Sequence, residues 1–356
     1  MRPEIFRIPL PDWVGLDHLP IYGYGLMIVI GFLLAAQLMK FLARRHGFDG
    51  EAFVNAALIA LLTGVIGARL SHVLENWSKF TDPKNDAWTN VKSMLNVSSG
   101  GLTFYGGFLF ATPVLILYAI YKKVPILRGM DIVAPCLMLA LAFGRMGCFL
   151  NGCCHGAQCD LPWAVTFPYN SNAYIDHYEH DVKAGRTGPG AIDPPDSLLT
   201  GEVDRRSFPI LRSKEEIHNP KAVAKTLRNE KRFDEAREIE QRSPDELQRM
   251  RADAAAQRSH PVHPAQLYSV FNALLITGVL VGFLTLAPAP GRVFALMLLL
   301  KGVSRFVLEM LRVEPKVWGN LSYSMVISIF LVAAGIAMWF GCAWLARRRA
   351  TPSPSA

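Results

Sequence analysis

Charged residues are scarce in this sequence. Asp, Glu, Lys and Arg make up 19% of its 356 residues, whereas hydrophobic residues make up 51%, and the mean hydropathy is +0.23. Soluble domains carry more charge, about 25% of their residues. The apolar residues also cluster in long blocks, which excludes a typical soluble domain and predicts an all-α polytopic membrane protein.

The sequence shows neither the pattern of a signal peptide at its start nor any visible internal repeat. Its first segment, MRPEIFRIPLPDW, has neither the basic-then-apolar order nor the small-residue cleavage site of a signal peptide, so we expect it to be retained. The formal net charge of +8 comes largely from residues beside the apolar blocks and in one long polar loop. This charge therefore indicates membrane topology rather than a nucleic-acid partner.

Seven apolar segments are long enough to cross a bilayer. These predicted spans are Leu19–Met39, Ala52–Leu74, Gly101–Tyr121, Met130–Leu150, Ala265–Leu286, Val293–Leu311 and Leu321–Trp344. Clusters of Lys and Arg follow the first and seventh spans and separate the third from the fourth, and such clusters favour the cytoplasmic side. The N-terminus is therefore predicted outside and the C-terminus in the cytoplasm.

Four regions follow from this pattern. Residues 1–169 hold spans one to four, residues 170–260 form a polar extracytoplasmic insertion, residues 261–346 hold spans five to seven, and residues 347–356 form a basic and then disordered cytoplasmic tail. We predict that the insertion begins as a loop and continues as one or two charged surface helices, with a break and a new helix N-terminus at Ser243 and Pro244. It contains no catalytic motif that we recognise, which favours a partner-binding or lineage-specific appendage.

The sixth predicted span carries charge. Lys301, Arg305, Glu309 and Arg312 fall along one helical stripe about 16 Å long. Each ionisable group at mid-membrane costs roughly 2.5–3.5 kcal/mol, so the stripe should face protein or water rather than lipid. Arg305 and Glu309 can form a structural pair and Arg312 can reach the interface, whereas Lys301 favours a functional role for the stripe.

Polar side chains collect at one predicted depth of the membrane. Arg69, Arg145 and Arg305 lie in the outer halves of spans that run outward. Three arginines at one depth indicate an anionic ligand, because guanidinium groups bind phosphate through paired, charge-assisted hydrogen bonds. The nearest such ligand is an anionic phospholipid headgroup. Gly144, beside Arg145, lets backbone approach a ligand closely. The residues that inward-running spans place at this depth are Tyr24, Tyr105, His263, Gln266 and Tyr268.

Four cysteines lie close together at the outer end of the fourth span, in GRMGCFLNGCCHGAQC. They are Cys148, Cys153, Cys154 and Cys159. We rank a structural disulfide, joining Cys153 or Cys154 to Cys159, or packed thiols first. A metal site ranks second, because adjacent cysteines are not the usual C-x₂₋₄-C spacing, and a catalytic thiol ranks third.

Six motifs, taken in order, resemble those of the prolipoprotein diacylglyceryl transferases, a family of seven-span bacterial enzymes. The motifs are YGYGLM, GARLSHVLENW, GGLTFYGG, GRMGCFLNGCCHG, HPAQLY and RFVLEMLR. The resemblance covers nearly all of the chain except the insertion. It implies a multi-pass enzyme of the bacterial cytoplasmic (inner) membrane that transfers diacylglycerol from phosphatidylglycerol to the lipobox cysteine of prolipoprotein signal peptides, releases glycerol phosphate, and needs neither metal nor organic cofactor.

The resemblance also implies residue roles. Arg145 and Arg305 are expected to hold the lipid phosphate. For the increase in the thiolate fraction of the acceptor cysteine, our own hypothesis offers Tyr105, His263 or the cationic field that includes Lys301. The expected substrate-binding residues are Tyr24, Arg69, Gly144, Asn151, Gly156, Lys301, Glu309 and Arg312. The chain departs from the family pattern at four positions: Tyr105 replaces a histidine, Cys148 an asparagine, Cys153 an acidic residue and Lys301 a tyrosine.

Two other classes of function remain open from the residues alone. A membrane transporter or binding protein for an anionic lipid or solute also carries intramembrane charges, but near the midplane and often with inverted repeats. A cysteine-based redox or metal protein is the third class. The outer position of the charges favours the transferase.

Overall fold

The protein is described here from a computed structural model, over residues 4–9, 18–81, 86–95, 103–186, 190–200, 210–229, 232–312 and 316–350. These residues are mostly helical. The helices are α1 (Gly23–Arg45), α2 (Gly50–Glu75), α3 (Trp77–Phe80), α4 (Ala87–Leu95), α5 (Phe104–Tyr121), α6 (Ile126–Asn151), α7 (Asn172–Lys183), α8 (Lys214–His218), α9 (Pro220–Asn229), α10 (Phe233–Glu240), α11 (Pro244–Ala256), α12 (Ala265–Thr285), α13 (Arg292–Glu309) and α14 (Tyr323–Ala350).

Three short antiparallel strand pairs accompany the helices. They are β1 (Glu4–Pro9) with β2 (His18–Tyr22), β3 (Leu199–Thr200) with β4 (Ile210–Leu211), and β5 (Lys316–Trp318) with β6 (Leu321–Ser322). A 3₁₀ turn at Asp196–Leu198 precedes β3. The predicted Gly100 and Gly101 of the GGLTFYGG motif, and residues 10–17 of the N-terminal segment, lie outside the described residues.

Five of the described helices are long and apolar enough to cross a membrane: α1, α2, α6, α12 and α14. Their surfaces are suited to lipid, since side chains such as Leu62 and Phe330 are 63% and 69% exposed. Helix α5 is a shorter apolar helix, and α13 coincides with the charged sixth span. Each predicted span therefore corresponds to a helix. The five helices that are long and apolar enough to cross a membrane indicate a multi-pass membrane protein, but they do not fix the number of crossings at seven.

The chain divides into two compact units. Unit 2 comprises residues 29–141, 273–304 and 326–356. Its core contains Leu42 of α1, Phe53 of α2, Ile132 of α6, Leu280 of α12 and Val293 of α13, all at most 6% exposed. These side chains come from five helices, so apolar packing among helices, rather than a sheet, holds this unit together.

Buried Asp131 of α6 fixes the start of α13 within unit 2. Its carboxylate accepts hydrogen bonds from the backbone N–H groups of Gly291, at 2.7 Å, and Phe294, at 3.0 Å. The first N–H groups of a helix have no partner within the helix. A carboxylate from a neighbouring helix supplies that partner here and favours the positive end of the α13 dipole.

Unit 1 comprises residues 1–28, 142–272 and 305–325. The polar insertion lies within it and has a hydrophobic core of its own, which includes Tyr174, Ile217 and Met250, each at most 1% exposed. The predicted start of a helix at Ser243 is confirmed, because α11 begins at the next residue and Ser243 Oγ accepts a hydrogen bond from the Glu246 N–H at 3.1 Å.

Two details of the insertion were predicted wrongly. Its first part contains helix α7 rather than loop alone, and its second part contains four helices, α8 to α11, rather than one or two. Helix α7 has a buried face that includes Tyr174 and Tyr178, both at most 5% exposed. Their burial in the core depends on chain segments more than 30 residues away, which a local pattern does not reveal.

Three histidine rings lie next to one another in unit 1, one pair edge-on and the other tilted. The His177 ring lies 5.4 Å from the His155 ring and 5.2 Å from the His260 ring, measured between centroids. Asp176 accepts from His155 at 3.1 Å and Asp181 from His260 at 2.8 Å. Burial, followed by the charges that the two neighbouring histidines carry when protonated, lowers the pKa of His177 to about 4.

Candidate functional site

The charged stripe of α13 ends in a buried ion-pair network. Glu309 is 2% exposed, and its Oε2 lies 3.2 Å from Arg305 Nη2 and 3.9 Å from Arg312 Nη1. Ser322 Oγ donates to Glu309 Oε1 at 3.0 Å, and Arg305 Nη2 donates to Ser324 Oγ at 2.8 Å. One carboxylate therefore orients two guanidinium groups, and the network keeps a net positive charge that suits an anion.

Gly156 lies where three chain segments of unit 1 meet. Its N–H donates to the His263 carbonyl at 3.0 Å, and the next N–H, of Ala157, donates to the Leu311 carbonyl at 2.8 Å. A Cβ at Gly156 would lie 2.6 Å from His263 Cβ and 3.0 Å from the Leu311 carbonyl oxygen. The absence of a side chain therefore lets the segments that carry His263 and Arg312 approach the end of α6.

The cysteines that follow Arg145 gather into a cluster. The sulfur atoms of Cys148, Cys153 and Cys154 all lie within 4.8 Å of one another. Hydrogen bonds from the Cys148 and Cys153 thiols, and then the positive charges of Arg312 and Arg145, lower the pKa of the Cys154 thiol below its ordinary value. The two arginines are thus close enough to stabilise a negative charge at Cys154.

All six cysteines are free thiols in the structure. The predicted disulfide to Cys159 is therefore not formed in this structure, whereas the packed thiols that we ranked with it are present at Cys148, Cys153 and Cys154, without Cys159. The second-ranked interpretation, a group of potential metal ligands, has the geometry it requires. Gly152 and Cys154, with φ of +73° and +60°, make the tight turn that brings Cys153 and Cys154 back towards the end of α6.

Tyr24 and Asn151 lie beside this cluster. The backbone of Tyr24 packs on Gly147, where an added Cβ would lie 3.3 Å from Tyr24 Cα, and its phenol interacts electrostatically with Arg145 and with the three clustered cysteines. Asn151 lies close enough to interact with the Cys153 side chain. Gly144 faces open space, because no atom lies within 4 Å of an added Cβ. The structure thus places Tyr24 and Arg145 near the cysteine cluster, with Asn151 beside Cys153, and their proposed contacts with substrate stay predictions.

His263 approaches Tyr268, which the sequence placed at the same depth, and Tyr268 in turn contacts Trp163, which the sequence did not single out. The His263 Nδ1 atom lies 3.4 Å from Tyr268 Oη, and Trp163 Nε1 donates to the same oxygen at 2.8 Å. Buried Gln266 donates from Nε2 to the Cys153 carbonyl at 2.8 Å. Sequence reasoning missed Trp163, Ser322 and Ser324, although the two serines at the start of the seventh span are polar residues bordering an apolar run, a signal that points to them.

Three other predicted site residues belong to unit 2. Arg69 is 7% exposed and donates from Nε to the Met94 carbonyl at 2.8 Å and from Nη2 to the Ser93 carbonyl at 2.7 Å. A cation that binds the last carbonyls of α4 stabilises that helix end, so Arg69 has a structural role. Tyr105, 59% exposed, lies in the first turn of α5, and Lys301 lies one turn before Arg305 on α13. Their proposed substrate contacts stay predictions.

These features define a polytopic helical membrane protein in which unit 1 gathers partly buried arginines, one buried carboxylate that orients them and a thiol cluster. The family model for prolipoprotein diacylglyceryl transferase matches residues 11–341. The chain therefore belongs to the prolipoprotein diacylglyceryl transferase family and is a transferase of lipoprotein maturation.

Individual relatives agree with this assignment. The chain is 25% identical to a phosphatidylglycerol–prolipoprotein diacylglyceryl transferase of Clostridium tetani over 339 residues, which is 94% of this chain and 96% of the relative. It is 31% identical to an enzyme of the same name from Rhodopirellula baltica, over 47% of this chain and 33% of the relative. It is 33% identical to the one from Synechococcus elongatus, over 48% of this chain and 57% of the relative.

Proposed function

We propose that this protein transfers the diacylglyceryl group of phosphatidylglycerol to the lipobox cysteine of prolipoprotein signal peptides in the bacterial cytoplasmic membrane. The observation that carries the site assignment is the network in which Glu309 orients Arg305 and Arg312. In it, a buried carboxylate holds two guanidinium groups in place while leaving their net charge positive. That arrangement supports binding of the lipid phosphate.

The reaction needs two kinds of assistance. The acceptor thiol must become a thiolate to attack the glycerol carbon, and the departing glycerol phosphate must be stabilised as negative charge gathers on its oxygen. We assign Arg145 and Arg305 to the phosphate. An arginine suits this task because its planar donors bind phosphate in a fixed, paired geometry that a lysine does not offer.

His263 is our candidate for the group that increases the thiolate fraction. Its Nδ1 approaches the Tyr268 hydroxyl, which Trp163 also contacts. If the Tyr268 hydroxyl donates to Nδ1, the ring proton is on Nε2. If Nδ1–H instead donates to the Tyr268 oxygen, Nε2 carries no proton and can act as a base. Tyr105 and the field of Lys301 remain the other proposed contributors.

We also propose the membrane arrangement that this reaction requires. Seven spans, with the N-terminus outside and the C-terminus in the cytoplasm, place the insertion and the outer ends of α6 and α13 on the side where exported precursors emerge. Lys40, Arg44 and Arg45 near the end of α1 support this orientation through the excess of positive charge expected on the cytoplasmic side.

The test is mass spectrometry of a reporter prolipoprotein expressed with this chain in cells depleted of their own transferase. We expect a diacylglyceryl adduct on the lipobox cysteine with the wild-type chain, and its loss with Arg145→Ala or Arg305→Ala. Arg228→Ala is the matched control, because that arginine pairs with Glu240 in an exposed position of the insertion. An adduct that forms at the wild-type rate in both site variants contradicts the phosphate assignment, and its absence with folded wild-type protein contradicts the proposed reaction.

A further inference from the structure

The cluster of Cys148, Cys153 and Cys154 is a built arrangement rather than a chance approach of three thiols. Cys148 comes from the last turn of α6, and the left-handed turn at Gly152 and Cys154 returns the next two sulfur atoms to it. A non-glycine residue in the left-handed region is uncommon and costs energy. Gln266 further fixes the segment by its hydrogen bond to the Cys153 carbonyl.

The spacing of these sulfur atoms suits one metal ion. A Zn²⁺ ion binds thiolate sulfur at about 2.3 Å, so two sulfur ligands of a tetrahedral site lie about 3.8 Å apart. The three sulfur atoms lie within 4.8 Å of one another before any ion is added. Small rotations about the side-chain bonds close the remaining distance.

The surrounding charge also suits a metal with three thiolates. Three thiolates and one divalent cation together carry a net charge of about −1, because a coordinating thiol is deprotonated. Arg145 and Arg312 both act on Cys154 as positive charges. The two arginines therefore compensate the negative charge of a zinc–thiolate complex. A cation held by neutral oxygen ligands would keep its positive charge, and the same two arginines would repel it.

We propose that Cys148, Cys153 and Cys154 form a binding site for one thiophilic divalent cation, zinc, held by three thiolates with a fourth coordination position left for a non-protein ligand. Soft sulfur ligands select zinc and similar ions over magnesium and calcium. Three protein ligands with an open fourth position are typical of zinc sites that bind a further ligand. This site goes beyond the transfer reaction proposed above, and its test does not depend on that reaction.

The experiment is a zinc titration of the full-length protein in detergent. The protein is purified under reducing, anaerobic conditions, stripped with a chelator, and titrated with Zn²⁺ against a chromophoric competitor. We expect one equivalent of tightly bound zinc per chain. Replacement of zinc by Co²⁺ should add the thiolate-to-cobalt charge-transfer absorption that marks sulfur coordination.

Single serine variants separate this site from other thiols. Cys153→Ser and Cys154→Ser should weaken zinc binding more than about 100-fold, since even loss of an outer-shell partner costs about 10- to 100-fold. Cys159→Ser is the matched control, because Cys159 is a free thiol of the same segment outside the cluster, and it should bind zinc like the wild type. Added zinc should also raise the melting temperature of the wild type and of Cys159→Ser, but not that of Cys153→Ser.

Three results would overturn the proposal, and none of them requires a variant that folds. The first is a reduced wild-type protein that takes up no stoichiometric zinc. The second is bound Co²⁺ without the charge-transfer band. Alkylation of thiols in intact cells, followed by mass spectrometry, adds a third: a disulfide between two of the three cysteines in most of the protein excludes the three-thiolate site in the cell.

Discussion

Glu309→Gln should destabilise unit 1 far more than an ordinary ion-pair mutation. The carboxylate is 2% exposed, lies 3.2 Å from Arg305 and accepts from Ser322 at 3.0 Å. The amide keeps the shape of the side chain but removes the charge, so it leaves two partly buried guanidinium groups, 21% and 12% exposed, without their carboxylate. Removing one partner of a buried ion pair costs about 3–5 kcal/mol.

A matched control separates burial from pairing. Lys183 and Glu179 form an exposed pair with the same four-residue spacing as Arg305 and Glu309, at 2.9 Å and with side chains 59% and 54% exposed. Glu179→Gln should cost no more than about 0.5 kcal/mol, as exposed helix pairs do. Ser322→Ala should cost at least about 1.5–3 kcal/mol, because it removes the hydrogen bond to the buried charge and also the one that Ser322 Oγ accepts from the Met325 N–H.

The assay is reversible unfolding of the purified protein in detergent, followed by the fluorescence of its tryptophans, together with transfer of diacylglycerol to a reporter precursor. Glu309→Gln should lower both the stability and the rate, because Arg305 and Arg312 lose the group that orients them. A double variant with Arg312→Gln should recover part of the stability, since it removes one positive charge from a network that has lost its negative one. Equal effects of Glu309→Gln and Glu179→Gln would refute this account of the network.

Three further perturbations test other parts of the structure. The folded protein holds the pKa of His177 near 4, below the value of about 6.5 for an unfolded chain. The unfolded state therefore binds protons first as the pH falls, and the free energy of unfolding should decrease by roughly 3 kcal/mol between pH 6.5 and pH 4. His177→Gln should flatten this pH dependence, and an unchanged slope would contradict the assignment. Gly156→Ala should lower stability by about 1–3 kcal/mol through overpacking and reduce transfer of diacylglycerol. Gly278→Ala, where an added Cβ meets no atom within 4 Å, should leave stability and transfer unchanged. Equal melting curves for the two variants would count against close packing of the chain segments at Gly156. Asp131→Ala removes two hydrogen bonds to the start of α13 and should cost at least about 1 kcal/mol, measured by thermal unfolding, and a melting temperature equal to that of the wild type would exclude the capping role.

Much of the architecture could be predicted from local patterns. The apolar segments correspond to helices because a backbone in hydrocarbon must satisfy its hydrogen bonds within each segment. Ser243 predicted a helix start because its hydroxyl replaces a missing backbone partner. The insertion was harder, since helix α7 is stabilised by burying Tyr174 and Tyr178 against distant segments, and short local stretches carry little of that information.

The charged residues show the same division. Their spacing predicted that Arg305, Glu309 and Arg312 share one helix face, and the structure confirms that they interact. The spacing of charged residues did not predict that Arg69 would bind the carbonyls of Ser93 and Met94. Depth in the membrane is a one-dimensional coordinate, and it does not say which groups a side chain meets in the other two dimensions.

The sequence by itself determined the class of protein, the positions of its apolar helices, the charged face of α13 and the family. These follow from hydropathy, helical periodicity and motif order, all of which act along the chain. Only the tertiary structure decided that Cys148, Cys153 and Cys154 cluster without Cys159, and that Gly156 joins the segments of His263 and Arg312. Such contacts depend on the left-handed turn after α6 and on close backbone approach, and neither can be read from residue types alone.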